Sequence, residues 1–189
     1  MMNTKRLFDL TLLLFCFVIL FLPFVITMVF VFLTSPGPLF YWSDRVGRKN
    51  ILFKMPKFRS MQIGTPVVAT YILDNPQEYL TPIGSFIRKT SLDELPQLWS
   101  ILKGDMSFVG PRPALFNQHD LIALRTECGV HMILPGLTGW AQINGRDDLP
   151  IPIKVKFDEE YLARRSFLFD FQILWLTGIK VLRQEGVSH

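Results

Sequence analysis

The hydrophobic residues of this chain are concentrated near its N-terminus. Residues 10–43 carry no charged side chain, and the apolar part, residues 10–33, exceeds the roughly 20 residues that a helix needs to cross a bilayer. Pro23 lies near the middle of this part, where it removes a backbone hydrogen bond and disfavours a straight helix. We expect a membrane-embedded segment and not a signal peptide, whose apolar region would be only about 7–15 residues long.

Basic residues flank the apolar stretch on both sides. Two precede it and six follow it: Lys5 and Arg6, then Arg45, Arg48, Lys49, Lys54, Lys57 and Arg59. Because basic residues favour the cytoplasmic side, a segment that enters the membrane, bends at Pro23 and returns to the same face agrees with both flanks. Each half would have about 12 residues and a length of roughly 18 Å, enough for one leaflet. A spanning helix with a tolerated kink is the alternative, and charge and proline alone leave it open.

The rest of the chain predicts short strands and amphipathic helices. Extended runs at residues 39–42 and 51–55, separated by a turn at residues 47–50, predict a β-hairpin. Residues 62–82 predict a loop with one short helix at residues 77–80. From residue 83 to 102 the apolar positions recur at helical spacing, and Gly104 follows as a stop signal.

Further helices are predicted at residues 117–128 and, in two parts, at residues 154–182. The last segment mixes aromatic residues with lysine and arginine, a combination that favours the membrane interface. Burial of these aromatic residues in a soluble core is an equally good interpretation of any one of them.

Composition narrows the classes of function. The 189 residues carry a formal net charge of +4, which suits an anionic membrane surface, a nucleotide or a phosphorylated lipid. No nucleic-acid recognition motif accompanies the charge, so nucleic acid is not an expected partner. Cys16 and Cys128 do not suggest a disulfide framework, in agreement with a cytoplasmic domain. His119, His131 and His189 lack the spacing of zinc ligands.

The sharpest local signal surrounds two adjacent acidic residues. Ser91 precedes Glu94 by three positions, which is the pattern of a capping box and predicts a helix start, supported by Pro96. A helix N-terminus also favours phosphate and ionised carboxylates. Asp93 and Glu94 would project about 100° apart on a helix, so one can attack phosphorus while the other holds a divalent cation. Spacing alone leaves both interpretations open.

Four arginines add positive charge beside rigid or turn-like segments: Arg59, Arg88, Arg112 and Arg146. Arginine binds phosphate oxygens bidentately, and phosphoryl transfer needs such charge around the transferred group. The pattern favours phosphoryl chemistry, although any single arginine is more often a solvated surface residue.

Five sequence runs together resemble one family. They are KRLFD at residues 5–9, FKMPKFRSM at 53–61, TSLDELPQL at 90–98, LKGDMSFVGPRP at 102–113 and PGLTGWAQINGR at 135–146. The chain is similar over residues 3–187 to the bacterial sugar transferases, monotopic phosphoglycosyl transferases that start cell-surface glycan assembly. It resembles their minimal catalytic form.

The resemblance implies a fold and a set of functional residues. It implies an α+β protein with a re-entrant helix-break-helix at residues 1–38, broken at Pro23, where Leu22 stands in place of the family's common serine. Residues 39–189 would form a mostly helical catalytic domain with a small β-hairpin and interfacial amphipathic helices. The implied roles are a covalent aspartyl-phosphosugar at Asp93, Mg²⁺ held by Glu94, and substrate contacts from Arg59, Arg88, Arg112, Arg146 and Asp170.

The expected reaction follows from the same resemblance. A UDP-sugar would donate sugar 1-phosphate to polyprenyl (undecaprenyl) phosphate at the cytoplasmic face of the bacterial inner membrane, in the first membrane step of a surface polysaccharide such as O-antigen. The family favours an acetamido sugar, but no residue here identifies it. The aromatic segments are compatible with a homodimer. A non-catalytic scaffold with the same fold is the rival class, and the presence of Asp93 and Glu94 counts against it.

Overall fold

The N-terminal apolar stretch forms one long helix. The computed structural model describes residues 2–68, 73–145 and 149–183. Its first element, α1 (Met2–Thr34), has 33 residues and contains Pro23, and it is long and apolar enough to cross a membrane. The predicted division into two helices is not seen, since α1 continues through Pro23. Proline removes only one backbone donor, so the other hydrogen bonds of the helix remain. Thr27 Oγ1 also donates to the Pro23 carbonyl at 2.8 Å.

The predicted hairpin is confirmed. Strands β1 (Phe40–Val46) and β2 (Leu52–Phe58) pair antiparallel with Ser43 opposite Met55. The connection contains a short 3₁₀ turn, Arg48–Asn50. A two-residue strand, β4 (Ala114–Leu115), pairs with the other edge of β1, so the hairpin becomes a three-stranded sheet.

The predicted helix over residues 83–102 is interrupted. It consists of α2 (Gly84–Lys89), a 3₁₀ turn at Leu92–Gln97 and α3 (Leu98–Lys103). Ser91 has φ 56° in the left-handed region, which few residues other than glycine adopt, so the chain changes direction there. Gly104 ends α3 with φ 92°, as its predicted role as a stop signal requires.

A second, parallel strand pair depends on glycine. Strands β3 (Ser107–Val109) and β5 (Gly136–Thr138) pair with Ser107 opposite Gly136. A Cβ at Gly136 would lie 2.1 Å from the Gly110 nitrogen, and one at Gly139 would lie 2.1 Å from the Gly110 oxygen. The glycines in two of the family-like runs therefore allow two backbone segments to touch.

The C-terminal half is helical, as predicted. Among the described residues four α-helices follow β4, and α5 was not predicted: α4 (His119–Glu127), α5 (Trp140–Ile143), α6 (Ile151–Arg164) and α7 (Phe167–Arg183). The aromatic residues of α7 divide between the two predicted environments. Phe169 is buried in the core, whereas Phe171 and Trp175 are 63% and 66% exposed.

Both halves of α1 pack on the rest of the chain. Leu12, Leu13 and Cys16 pack against the main core, which includes Met55, Ile101 and Tyr161 among its buried residues. Farther along α1, Val31 shares a second buried cluster with Phe58 of β2 and Ile87 of α2. The opposite face of α1 leaves many large apolar side chains exposed, Leu14, Phe15, Val18, Phe21, Leu22, Phe32 and Leu33 among them.

Polar contacts fix the first turns of α1 to the same domain. The ammonium group of Lys5 forms an ion pair with the buried carboxylate of Asp170 in α7, and Tyr161 donates to the other oxygen of Asp170 at 2.8 Å. Asp9 accepts hydrogen bonds from the Ser107 hydroxyl at 3.0 Å and the Phe108 amide at 3.2 Å. The N-terminal end of α1 is thus joined to α7 and β3.

The other end of α1 is held by Arg59, directly after β2. Its guanidinium donates to the carbonyl oxygens of Ser35 and Pro36, the latter at 2.7 Å. Arg59 is 6% exposed. Carbonyl groups at the end of a helix lack hydrogen-bond partners within the helix. Arg59 provides donors for the two carbonyls that directly follow α1.

Candidate active site

The two acidic residues singled out in the sequence lie in the 3₁₀ turn Leu92–Gln97. Asp93 is 7% exposed and Glu94 is 9% exposed. The predicted capping box is wrong: within the described part of the chain, Ser91 makes no capping bond through its side chain. Its left-handed backbone instead places its carbonyl 3.1 Å from the Glu94 amide, which donates to it. Asp93 and Glu94 lie at the start of a helical turn, as predicted. A backbone hydrogen bond closes that turn in place of the predicted side-chain cap.

Two cations converge on Glu94. Lys57 of β2 places Nζ 2.8 Å from Glu94 Oε1 and 3.9 Å from Asp93 Oδ2. Arg112 places Nη2 2.9 Å from the same Oε1. The site therefore joins three separate parts of the sequence: the second strand of the hairpin, the acidic turn and the segment after β3.

Burial sets the electrostatics of the site. It raises the pKa of Asp93, and the Lys57 ammonium opposes that shift, while the charge of Glu94 reinforces it. Burial also lowers the pKa of Lys57, against the effect of Glu94 and Asp93. The charged forms of Asp93, Glu94 and Lys57 stabilise one another, because burying any one of these charges without a partner would cost much free energy. An ionised Asp93 in this setting is poorly solvated, which favours nucleophilic behaviour.

Arg112 is positioned by a second buried ion pair. Arg125 of α4 donates to Asp158 of α6 through Nε at 2.9 Å and Nη2 at 2.7 Å. Its remaining Nη1 donates to the Arg112 carbonyl at 2.7 Å. Neither residue carried a signal in the sequence, because their pairing connects positions 33 apart. The backbone of Arg112 is fixed by this pair on one side and by the glycine contacts of β3 and β5 on the other.

The other predicted site residues are placed differently. Arg88 lies in the last turn of α2, and its charge lowers the pKa of Asp93, so it contributes to the electrostatics of the site. Arg59 and Asp170 bind the two ends of α1, and within the described part of the chain their hydrogen bonds do not go to the acidic turn. Arg146 lies outside the described residues.

Lys57 was not predicted as a site residue. It belongs to the FKMPKFRSM run, but its role depends on the approach of β2 to the acidic turn, which the sequence does not reveal. Its neighbours Pro56 and Phe58 are both buried, but successive side chains of a strand point to opposite faces, so these neighbours give no signal that Lys57 faces the site.

The acidic pair fits a magnesium site in its donor chemistry. Among the described residues, no group of three or more histidine, cysteine, aspartate or glutamate side chains is arranged to hold a metal. Mg²⁺ does not need such a cage, since it is commonly bound by one or two carboxylates together with water and substrate phosphates. Glu94, with Asp93 adjacent, supplies carboxylate oxygens of this kind.

Comparison with known proteins agrees with these features. A profile of the bacterial sugar transferase family matches residues 1–184. The chain is 41% identical to an uncharacterized sugar transferase of Bacillus subtilis, with 99% of this chain and 91% of that protein covered.

Two relatives carry names that specify a reaction. One is a UDP-glucose:undecaprenyl-phosphate glucose-1-phosphate transferase of Xanthomonas campestris, 39% identical, with 81% of this chain and 33% of that protein covered. The other is an undecaprenyl-phosphate galactose phosphotransferase of Salmonella typhimurium, 36% identical, with 96% of this chain and 41% of that protein covered. This chain thus spans less than half of each. It belongs to the bacterial sugar transferase family, and it is an enzyme of the phosphoglycosyl transferase class.

Proposed function

We propose that this enzyme transfers a sugar 1-phosphate from a UDP-sugar to polyprenyl phosphate, giving a polyprenyl diphosphate sugar and UMP. The observation that carries this proposal is the buried Asp93–Glu94 pair, held between Lys57 and Arg112. A nucleophile beside two cations suits a substrate with two phosphates. The names of the Xanthomonas and Salmonella relatives support the same general reaction.

The first step is attack by Asp93 on the sugar-bearing phosphorus. A carboxylate oxygen forms the new bond to phosphorus, and the bond to the bridging oxygen breaks, so that UMP leaves with the electron pair. In the second step, a phosphate oxygen of the lipid attacks the same phosphorus and Asp93 leaves as a carboxylate. The two displacements return the enzyme to its starting state and need no redox partner.

The neighbouring side chains serve these steps through charge. Lys57, Arg112 and Arg88 lie where they can offset the negative charge of the diphosphate, which would otherwise repel the incoming carboxylate. Glu94 keeps Lys57 and Arg112 in place through its Oε1. We assign Glu94 as the ligand of Mg²⁺, which when bound supplies further positive charge to the diphosphate.

We further propose that α1 is re-entrant, with both ends on the cytoplasmic side. Lys5 and Asp9 contact the catalytic domain near one end of the helix, and Val31 and Ser35 contact it near the other. A single domain lies on one side of the membrane, so a helix that carried its two ends to opposite sides would lose one set of contacts. The exposed apolar face of α1 then inserts into the leaflet on the side of the domain.

The reaction is tested with the purified enzyme, Mg²⁺, undecaprenyl phosphate and a panel of UDP-sugars. We expect UMP release and a lipid-linked sugar diphosphate with at least one donor, and loss of both with Asp93→Asn. UMP formation without any lipid-linked product at saturating lipid would contradict the transfer reaction. The panel should include acetamido sugars as well as UDP-glucose and UDP-galactose, because the sugar is not identified by any described residue.

A further inference from the structure

Tyr41 lies on the same face of the hairpin as Lys57. The two residues are directly paired across β1 and β2, and directly paired side chains project from the same face of a sheet, with Cβ atoms about 4.5–5.5 Å apart. From that face Lys57 reaches Glu94 Oε1 at 2.8 Å and Asp93 Oδ2 at 3.9 Å. The phenol ring of Tyr41 therefore lies beside the stem of the lysine that contacts the acidic turn.

The same face of β1 continues towards Arg112. Alternate residues of a strand share a face, so Ser43 and Arg45 follow Tyr41 on it. Arg45 donates to the Ser43 hydroxyl at 3.0 Å and to the Pro113 carbonyl at 3.1 Å. Because Pro113 directly follows Arg112, this face of the strand extends from Tyr41 to the cations of the candidate active site.

Tyr41 is the exposed member of this face. It is 43% exposed, whereas Ser43 is 1% exposed and accepts a hydrogen bond from Arg45. Among the described residues, no hydrogen bond or aromatic-ring contact involves the side chain of Tyr41. An aromatic side chain at the edge of the site therefore presents a free surface, and such a ring contributes to binding when it covers an apolar surface of a ligand.

The proposed donor offers such a surface close to this position. In a UDP-sugar, the transferred sugar is bonded through one oxygen to the phosphorus that Asp93 attacks, whereas a second phosphate and a ribose separate the uracil from that phosphorus. A phosphorus atom beside Asp93 therefore places the sugar nearer than the base to the neighbours of Lys57. The C–H groups of a sugar ring are weakly positive at their hydrogens, so they pack well on the electron-rich face of an aromatic ring.

We infer that the ring of Tyr41 packs against the transferred sugar of the UDP-sugar donor and contributes to the affinity for that sugar. The inference rests on the proposed function for the identity of the donor. Carboxylate and phosphate oxygens carry out both displacements, so Tyr41 binds substrate and takes no part in bond making. Its removal should therefore weaken donor binding more than it slows the chemical step.

The contact is tested by donor binding to an enzyme that lacks the proposed nucleophile. Full-length Asp93→Asn in nanodiscs is titrated calorimetrically, in the presence of Mg²⁺, with UDP-galactose, UDP-N-acetylgalactosamine and UMP, which lacks the sugar. We expect the additional change Tyr41→Ala to raise the Kd of the UDP-sugar that binds more tightly by about 3- to 10-fold, the cost of one lost aromatic contact. The Kd of UMP should not change. An equal rise for UMP would assign the ring to the nucleotide, and an unchanged Kd for the donor would remove Tyr41 from the site.

Two further variants control for the chemistry of the ring and for the membrane. Tyr41→Phe keeps the ring and should bind the donor as tightly as the parent, because the packing needs no hydroxyl group. Trp42→Ala removes an aromatic residue that is 49% exposed but projects from the opposite face of β1. Exposed aromatic residues that only served the membrane interface would make Trp42→Ala and Tyr41→Ala equivalent. Equal donor affinities in these two variants, or weak binding by Tyr41→Phe, would contradict the inference.

The first half-reaction, in which the sugar-phosphate adduct forms on Asp93 without lipid, gives a second measurement. With Tyr41→Ala in the otherwise native enzyme we expect a higher KM for UDP-sugar and a maximal rate of adduct formation within about twofold of wild type, which also shows that the variant is folded. A lower maximal rate with an unchanged KM would contradict a binding role. If wild type forms no adduct, the covalent mechanism fails, but the difference between donor and UMP binding still decides whether Tyr41 contacts the sugar.

Discussion

Arg112 and Glu94 form an ion pair across the site, with Nη2 and Oε1 2.9 Å apart. The pair joins the acidic turn to the segment that follows β3, and Lys57 reaches the same oxygen from β2. Glu94 thereby fixes two cations beside Asp93. The two adjacent carboxylates therefore have different roles. Glu94 holds the two cations in place, and Asp93 is the candidate nucleophile.

Removal of Lys57 should impair the first half-reaction. Lys57→Gln keeps a polar side chain but removes the charge that lies 3.9 Å from Asp93 Oδ2. We expect adduct formation to slow by roughly 10²- to 10³-fold, the usual cost of losing one stabilising donor. Lys54→Gln is the control, since Lys54 lies on the same strand and its side chain is 63% exposed. Equal rates in both variants would show that Lys57 has no electrostatic role.

The same substitution predicts a change in pH dependence. Lys57 holds the pKa of Asp93 below the value that burial and Glu94 alone would produce. Asp93 must be ionised to attack, so the rate falls as the pH drops through its pKa. Lys57→Gln should therefore move the acidic limb of the rate profile to higher pH. A limb at the same pH, or at lower pH, would contradict the assigned electrostatics.

The Arg125–Asp158 pair should affect activity through the position of Arg112. Arg125→Met alone leaves Asp158 buried without its partner, and we expect a loss of about 3–5 kcal/mol in stability. The double variant Arg125→Met/Asp158→Leu should recover most of that stability, because apolar replacements of a buried pair are often tolerated. It still lacks the hydrogen bond from Arg125 to the Arg112 carbonyl.

The double variant therefore separates folding from positioning. We expect near-native thermal stability with a reduced rate of adduct formation, measured by calorimetry and by mass spectrometry on the same preparation. The double variant cannot form the hydrogen bond to the Arg112 carbonyl. Full activity in this variant would therefore show that the bond does not position Arg112.

Gly136→Ala should disrupt the parallel strand pair. The added Cβ would lie 2.1 Å from the Gly110 nitrogen and 2.4 Å from the Thr138 oxygen, and both are backbone atoms that cannot turn aside. We expect a destabilisation of at least about 1–3 kcal/mol. Gly178→Ala is the matched control, because apart from its own helix backbone and chain neighbours no heavy atom of the described residues lies within 4 Å of the added Cβ. The melting temperatures of the two variants are compared by thermal unfolding in detergent. Equal values would contradict the close approach of Gly136 to Gly110.

The membrane topology is tested by cysteine accessibility in cells. With Cys16 and Cys128 replaced, Asn3→Cys and Asn50→Cys are labelled separately with a membrane-impermeant maleimide. The re-entrant arrangement predicts that neither is labelled from outside. Pro23→Leu should increase external labelling at position 3, because without the kink that proline favours, an apolar helix of this length can straighten and cross the bilayer. External labelling of Asn3→Cys with Pro23 intact would contradict the arrangement.

Local patterns in the sequence predicted most of the regular structure. The hairpin, α4 and the two C-terminal helices follow from alternation and helical spacing, and Gly104 ends α3 as expected. Three local predictions were wrong: the capping box at Ser91, the uninterrupted helix over residues 83–102 and the helix break at Pro23. Ser91 adopts a left-handed backbone that spacing does not reveal, and one proline did not end α1 because its apolar residues continue the helix on both sides.

The site was only partly predictable because it depends on distant contacts. Asp93, Glu94 and Arg112 were singled out by motif and resemblance, and the structure brings them together. Lys57 joins them through the approach of β2, and Arg125 and Asp158 act from separate helices. Asp170 binds Lys5 from 165 positions away. No spacing rule connects such positions, so their partners appear only in the folded chain.

The covalent role of Asp93 is tested most directly by intact-protein mass spectrometry. Wild type, Asp93→Asn and the control Asp105→Asn, whose native side chain pairs with Lys103, are incubated with UDP-sugar and Mg²⁺ without lipid. We predict an added mass of one sugar phosphate on wild type and on Asp105→Asn, and none on Asp93→Asn. An adduct of equal abundance on Asp93→Asn, or full turnover by that variant, would contradict the account.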